Sequence, residues 1–514
     1  MALSIFLYLF ISTVVILIVS VYMYIKSRGS ENPLLPIDWP VVGILPSFVA
    51  NLRNFHDYLT AVLAASGCNF KVGAAGASSA RFFITSDPAN VQHHIFTANH
   101  ANYLKGEAFA EAFDVVSGTL LTVDGEACRR QRAKTQGILS NPEMVSSMAT
   151  CCRGKVADGL LPFLARMASA AAPFDMQELC ARLVFDQTAT PVFGVDPGCL
   201  SPHMPSMRVA DAMDTVMEVG FFRQTVSPSL WKAMRWLDVG PERRLAAAHT
   251  VLHGFVTEMM EKRNAARQLG SEGGVLDGKV VDIVSHYVDD PECSDAMLRK
   301  TLLNYMIGGR DTIGTALPWL LYSLANNPRV VSSIRKELAP IASRKDDRGK
   351  MVVFEPSETK PLVYLQATLF ESLRLYPPGP LERKNVVADD VLPSGHRVRR
   401  GEAILVSIYA MGRMESVWGK DSHEFRPERW LSEDGTKLRY VPSCKFLAFS
   451  SGPRMCLGKD IAIMEMKTIV AAVVWNFDVE VLEEQSIKPK LSILLQMENG
   501  LMVTVTRREE RNKP

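Results

Sequence analysis

The sequence predicts a mainly α protein with a minor β component, a single large body carried behind an N-terminal transmembrane helix. Three observations predict it. Long stretches repeat apolar residues at helical spacing, strand-like runs are few and short, and the first 25 residues, MALSIFLYLFISTVVILIVSVYMYI, carry no charged side chain. At 514 residues the chain is long enough for a large core. Its 57 basic and 55 acidic residues leave a net charge of +2, which excludes the basic footprint of a nucleic-acid binder.

The N-terminal segment comes first. As a helix, residues 1–25 reach roughly 37 Å at about 1.5 Å per residue, enough to cross a ~30 Å hydrocarbon layer. A cleaved signal opens with basic residues and ends on a small-residue cleavage site; this segment has no basic start, so it reads as an uncleaved anchor. Lys26 and Arg28 follow it, which places the body on the cytosolic side. Residues 26–49 include ENPLLPIDWPVVGILP, with prolines at 33, 36, 40 and 46, and read as a stiff, extended connector.

Residues 50–514 read as one body without internal repeats or low-complexity tracts. Helical periodicity is clearest over 158–171, 241–269, 294–326, 362–375 and 460–477. Strands are expected in ARFFIT, HRVRR, AILVSIY and GLMVTVT, and exposed connections in GSEGGVLDG and SRKDDRGK. The nine cysteines are odd in number, scattered and free of any CxxC pair, which excludes a structural zinc ribbon and fits a reducing compartment with inert buried thiols.

One cysteine has distinctive neighbours. FSSGPRMCLG, from Phe449 to Gly458, surrounds Cys456 with glycines, a proline and an arginine, just before an apolar helix. A thiolate suits a soft metal, and haem iron accepts Cys as an axial ligand. Gly452 and Gly458 allow backbone to lie close to a flat macrocycle, and Pro453 stiffens the loop. Arg454 offers a fork of donors for a propionate. A helix starting near Gly458 places its positive end beside the sulfur and lowers the thiol pKa, and Phe449 covers the sulfur. Cys444 lacks such neighbours and reads as structural.

The stretch resembles the cysteine loop of the cytochrome P-450 family, F-x-x-G-x-R-x-C-x-G, at every specified position. Two further stretches agree with the resemblance. Glu371 and Arg374 in LFESLRLYPP share one helix face amid leucines, where unpaired charge is costly, so they need a third partner. Arg429 in HEFRPERW supplies it, and the three resemble the family's structural triad. In MIGGRDTIGTALPW, Gly308 and Gly309 leave space above a flat cofactor, and the Thr312 hydroxyl reaches back to the Gly308 carbonyl and opens the helix. Asp311 and Thr312 form an acid–alcohol pair for proton delivery, resembling the family's oxygen-activating motif. Two positions depart from the pattern. Ile313 stands where a second hydroxyl residue is usual, where it alters proton delivery or crowds the pocket. In DGEACRRQRAK, Cys128 occupies a tryptophan position while Arg132 matches the propionate-binding arginine.

The resemblance implies a haem b (iron protoporphyrin IX) monooxygenase with Cys456 as the iron ligand, fed from NADPH by a separate NADPH–cytochrome P-450 reductase. It implies an endoplasmic reticulum membrane location, lipid contact and a hydrophobic small-molecule substrate. Arg129, Arg130, Arg132, Lys134 and Lys459 would form the face that docks the acidic reductase. Pocket walls are expected around 109–121, 380–383 and 493–495. GGRDT, YAMGRMESVWG, FRPERW and KFLAFSSGPRMCLGK are similar to the plant branch acting on fatty acids and long-chain alkanes, closest to the mid-chain alkane hydroxylases. Oxidative phenol coupling or hydroxylation of a specialised metabolite, such as an Amaryllidaceae-type alkaloid precursor, is the alternative. A non-catalytic haem sensor or carrier is a third reading, which the acid–alcohol pair opposes.

Overall fold

In a computed structural model of the protein, the described residues are 13–19, 21–22, 35–36, 45–72, 82–96, 98–268, 275–276, 279–288, 290–345 and 350–508. Among them no helix is long and apolar enough to cross a membrane. Within the expected anchor, residues 13–19 and 21–22 are helical with Val15, Ile16, Leu17 and Ile18 exposed; the remainder of 1–25 lies outside the described residues. Most of the expected connector also lies outside them. Its end differs from the extended reading, because Leu45–Ala50 is helical. Pro46 sits in the first turn of that helix, where a missing N–H costs nothing.

The body is mostly helical, as the periodicity predicts. The helices that matter for the site are α1 (Gly125–Leu139), α2 (Pro142–Lys155), α3 (Met176–Phe193), α4 (Arg208–Thr225), α5 (Gly240–Gln268), α6 (Asp295–Met306), α7 (Thr312–Ala325), α8 (Val363–Leu375) and α9 (Lys459–Asn476). Ser294 caps α6 by accepting the Met297 N–H. The expected helix 294–326 is therefore α6 and α7, joined through a π-helical turn, Ile307–Asp311. The expected helix at 158–171 likewise divides into a π-helical turn, Val156–Leu160, and an α-helix, Leu161–Ala170.

The strands are β1 (Asn69–Val72), β2 (Phe82–Thr85), β3 (Tyr103–Leu104), β4 (Phe174–Asp175), β5 (Leu381–Val386), β6 (Ala403–Ser407), β7 (Phe477–Val481) and β8 (Met502–Arg507). A mixed sheet runs in the order β1-β2-β6-β5-β3, with β2 and β6 parallel through Phe82 opposite Ala403. An antiparallel sheet runs β7-β8-β4. HRVRR contributes only Arg397–Val398, paired with Asp390–Val391. Within GSEGGVLDG, Val275–Leu276 pairs with Lys279–Val280, and residues 346–349 of SRKDDRGK lie outside the described residues.

The main core gathers α3, α7, α8 and α9 around Leu183, Leu317, Leu320, Leu369 and Ile469. A second cluster joins Phe109, Phe113, Val216, Met306 and Leu494. Within α9, Glu465 is buried beside Cys151 and Cys152 of α2, and burial pushes its carboxyl up to about 8. The folded chain thus holds a proton there that the unfolded chain releases near pH 4.5. Stability from this group is fully present below that value and is lost as pH rises to about 8. Glu465→Gln is expected to remove this slope, and to stabilise the protein above pH 8 by on the order of a few kcal/mol, in unfolding measured against pH. Parallel pH profiles for the two proteins would refute it.

Candidate active site around Cys456 and the Gly308–Thr312 turn

The cysteine loop is closed by its own backbone. The Cys456 N–H donates to the Phe449 carbonyl at 2.8 Å, and Met455 N–H to Gly452 at 3.1 Å. Gly452 has φ +59°, which only glycine adopts without strain, so its requirement is the turn itself. α9 begins directly after Gly458. Cys456 is exposed, although enough protein surrounds it for burial to raise its thiol pKa. Its side chain is thus accessible although protein surrounds it. The Gly458 N–H, Arg132 and Lys459 pull the pKa down, as the helix start predicts, and Asp460 pushes it up. Burial outweighs them, so the free thiol lies above its ordinary value rather than below it. A Cβ on Gly458 would meet nothing within 4 Å. Phe449 is half-buried with the Lys459 ammonium 5.7 Å from its ring centre. Cys444 packs at the edge of a separate cluster with Phe83 and Leu447.

The two arginines expected at propionates make protein contacts. Arg454 donates to Asp124 at 2.6 Å, to the Leu120 carbonyl at 3.2 Å and to the Val123 carbonyl, tying the loop to the segment before α1. Arg132 donates to the Met455 carbonyl at 2.6 Å. Cys128, one turn before Arg132, is buried. Beyond these lie charges that sequence reasoning missed. Lys384 is buried and pairs with Glu382 at 2.8 Å, and Lys105 approaches Glu382 at 4.0 Å. Burial pushes Lys105 down to about 8, assisted by Lys384 and Arg454. Burial alone would raise Glu382, but Lys384 and Lys105 hold it at about 2. Among the described residues, Lys105 and Lys384 pair with Glu382 and Arg454 with Asp124, while Arg132 binds a carbonyl, which leaves an excess of cations matching a dianion. The i,i+2 spacing of Glu382 and Lys384 in a strand was the available signal.

Glu371 is the centre of the expected triad. Arg374 binds both its oxygens at 2.8 Å, and Arg429 reaches it at 3.3 Å. Trp430 Nε1 at 2.8 Å and the Arg426 N–H at 2.9 Å complete its shell. Arg374 also donates to the carbonyls of Gly412, Ser422 and Glu424. Gly412 lies so close that a Cβ would sit 2.1 Å from the Arg374 carbonyl oxygen.

On the other helix, Thr312 Oγ1 donates to the Gly308 carbonyl at 2.8 Å, the back-bond its spacing predicts, where the helix widens into its π turn. Gly308 and Thr312 are exposed while Met306, Arg310, Asp311 and Ile313 around them are buried, and a Cβ on Gly308 would meet nothing within 4 Å. Gly309 differs from the expectation. A Cβ there would lie 2.6 Å from Thr188 Cγ2, so this glycine serves the contact with α3. Ile313 is buried in the main core. Asp311 and Thr312 do not meet. Asp311 turns inward to Arg310, and burial raises its carboxyl to about 6 against the pull of that arginine.

Of the expected docking cations, Arg129 and Arg130 are exposed, with Met455 exposed as well. Lys134 is instead held by Asp290 and lies 3.9 Å from the Tyr287 ring centre. Among the expected walls, Phe109, Phe113, Val115 and Leu494 are buried and apolar.

An accessible cysteine, two glycines where an added Cβ would meet nothing and an excess of cations nearby fit a flat, dianionic, thiolate-ligated group. Comparison with known proteins agrees. The cytochrome P450 family model matches residues 33–505. Noroxomaritidine synthase of Narcissus aff. pseudonarcissus MK-2014 is 35% identical over 95% of this chain and 94% of its own length. Alkane hydroxylase MAH1 of Arabidopsis thaliana is 33% identical over 95% and 96%, and cytochrome P450 86B1 of the same plant is 35% identical over 96% and 89%. The family's cofactor is haem b, its electrons come from a redox-partner reductase, its substrates are hydrophobic, and its members named here support monooxygenase activity. The chain belongs to the cytochrome P450 family.

Proposed function

We propose that this monooxygenase hydroxylates a long-chain fatty acid at the endoplasmic reticulum, anchored by residues 1–25 with the catalytic body 50–514 in the cytosol. Electrons come from NADPH through NADPH–cytochrome P450 reductase, docked on the face bearing Arg129 and Arg130. Cys456 is the iron ligand, and Lys105, Lys384, Arg132 and Arg454 neutralise the propionates. Haem b held there supplies the reductive activation of dioxygen. The protein does the rest. Phe449 shields the sulfur, Gly308 and Thr312 keep an open face for the reaction, Thr312 presents a hydroxyl, and Asp311 holds a proton. Buried apolar walls such as Phe109 and Leu494 exclude water and suit an aliphatic chain.

One observation favours the acid over an alkane. Arg383 of β5 lies 5.6 Å from the Phe82 ring centre, and its Nε is buried with no partner among the described residues. Burial alone lowers its pKa. A half-buried guanidinium of this kind attracts a carboxylate and repels an ammonium. Oxidative phenol coupling of an alkaloid precursor is the second reading, favoured by the likeness to noroxomaritidine synthase.

The test is a spectral titration of the ferric enzyme with a long-chain fatty acid, the alkane of equal length and a phenolic amine. The acid is expected to displace the iron-bound water at the lowest concentration, and Arg383→Leu to weaken acid binding about tenfold while sparing the alkane. Response to the phenolic amine alone would replace hydroxylation with coupling.

A further inference from the structure

β4, α3, α4, α7 and the C-terminal segment border a cavity of about 240 Å³, with room for several waters. Its charges do not balance. Six carboxylates line it, from Asp175, Glu178, Asp211, Asp214, Asp311 and Glu498, against two cations, Arg310 and Lys490. Some of these are answered already. Glu178 pairs with Arg182, and Lys490 with Glu218. Asp175 accepts the Gln177 and Leu501 N–H groups at 2.8 and 2.9 Å. Asp214 accepts Arg310 Nη1 at 2.7 Å and Gln496 Nε2 at 3.1 Å.

Three acids are left over. Asp211 and Glu498 are exposed, and their carboxylates make no hydrogen bond or ion pair among the described residues. Asp311 is 2% exposed; its Oδ1 accepts Arg310 at 2.6 Å, and its Oδ2 has no partner among the described residues. A buried carboxylate oxygen without a donor is costly, so it calls for one. Arg310 Nε, also buried and unpartnered among them, needs an acceptor, which cavity water supplies.

The donor that fits Asp311 is an ammonium and not a metal ion. Among the described residues no group of three His, Cys, Asp or Glu side chains could hold a metal. The acids are instead arranged in depth. Asp311 is buried, Asp214 shares its arginine, and Asp211 stands one turn away on α4 at the exposed end. Residues three apart on a helix face lie about 5–6 Å from each other. A single ammonium on the buried acid leaves the mouth unanswered, whereas two on a short methylene chain answer both.

We propose that this cavity is a binding site for a short linear diamine, with one ammonium donating to Asp311 Oδ2 and the other held at the mouth by Asp211 and Glu498. Arg310 keeps its contacts with Asp311 Oδ1 and Asp214, so binding adds a donor and breaks nothing. The site shares no residue with the expected substrate walls at 109–121, 380–383 and 493–495. Burial pushes the Asp311 carboxyl up, Arg310 pulls it down and Asp214 pushes it up again, with the balance at about 6. An ammonium favours the charged form, so binding near that pH expels a proton to the buffer.

The experiment is isothermal titration of the full-length, haem-loaded protein with diaminobutane, butylamine and sodium chloride at matched ionic strength. It is run at about pH 6, in buffers of different ionisation enthalpy. A single diaminobutane is expected to bind per chain, at least about tenfold more tightly than butylamine, because its second ammonium is captured at high effective concentration. Binding is expected to release about half a proton, since an acid titrating at about 6 is half protonated there. Asp211→Asn combined with Glu498→Gln is expected to erase the advantage of the diamine over the monoamine while haem content and basal activity stay unchanged. Asp311→Asn is expected to abolish the proton release. Equal affinity for the two amines, heat reproduced by sodium chloride, or a diamine affinity untouched by the mouth substitutions would overturn the site. Proton release that survives in Asp311→Asn would overturn the placement of the inner ammonium. No readout here requires turnover, so failure of the fatty-acid reading and failure of this site are separate results.

Discussion

Cys456→Ala is expected to abolish both the thiolate-type carbon monoxide difference band and all product formation, while Cys444→Ala leaves both intact. Both thiols are free, and both have pKa values raised by burial, so reactivity does not distinguish them. Placement does. Cys456 stands two residues before Gly458, is exposed, and has Arg132 and Lys459 near enough to stabilise a thiolate. Cys444 packs against the cluster of Phe83 and Leu447, where nothing requires a thiol. Alanine is small enough to leave the loop's closure intact, because that closure is made by backbone, from Cys456 N–H to Phe449. Loss should therefore be chemical and not conformational. A surviving thiolate-type band in Cys456→Ala would refute the ligand assignment, and another cysteine would have to be sought.

Glu371→Ala is expected to have the largest effect on folding. The carboxylate is fully buried and takes donors from Arg374, Arg429, Trp430 and the Arg426 backbone. Its removal strands the Arg374 guanidinium, itself 2% exposed, inside the protein. Breaking a buried pair in this way costs about 3–5 kcal/mol, because the remaining charge stays desolvated and uncompensated. Arg374→Ala is expected to be milder than Glu371→Ala only insofar as Arg429 still neutralises the carboxylate. The measurement is the yield of haem-loaded protein together with the unfolding midpoint. A Glu371→Ala protein within about 1 kcal/mol of wild type would show that the network is dispensable.

Which features were readable beforehand follows from what determines them. The long helices were legible because each buries one face, and α5, α8 and α9 begin and end within a residue or so of their apolar repeats. The cysteine loop and the Glu371–Arg374–Arg429 triad were legible because local residue types at fixed spacing specify them. Asp311 was not. Its hydrogen-bond partner Arg310 is adjacent in sequence, but that arginine is held by Asp214 of α4, which Gln496 of the C-terminal segment also binds, far away along the chain. The same holds for Gly309, whose need for a bare backbone comes from Thr188 on another helix. Lys105 and Glu382 meet only because β3 pairs with β5, a register that composition does not announce.

The π turn at Ile307–Asp311 has a consequence for the gene. Its five residues close their backbone bonds one step wider than an α-helix does, which amounts to a single inserted amino acid. α6 and α7 therefore continue one another as a rod but differ in phase by about 100°. Removing the codon of Gly309, Arg310 or Asp311 would rejoin the phases without breaking the reading frame. The rod would stay helical, yet Thr312 would rotate off the open face, and the Gly308 carbonyl would lose the hydroxyl that now answers it. A three-nucleotide deletion would separate two properties usually lost together, leaving a helix intact and its chemistry misaddressed.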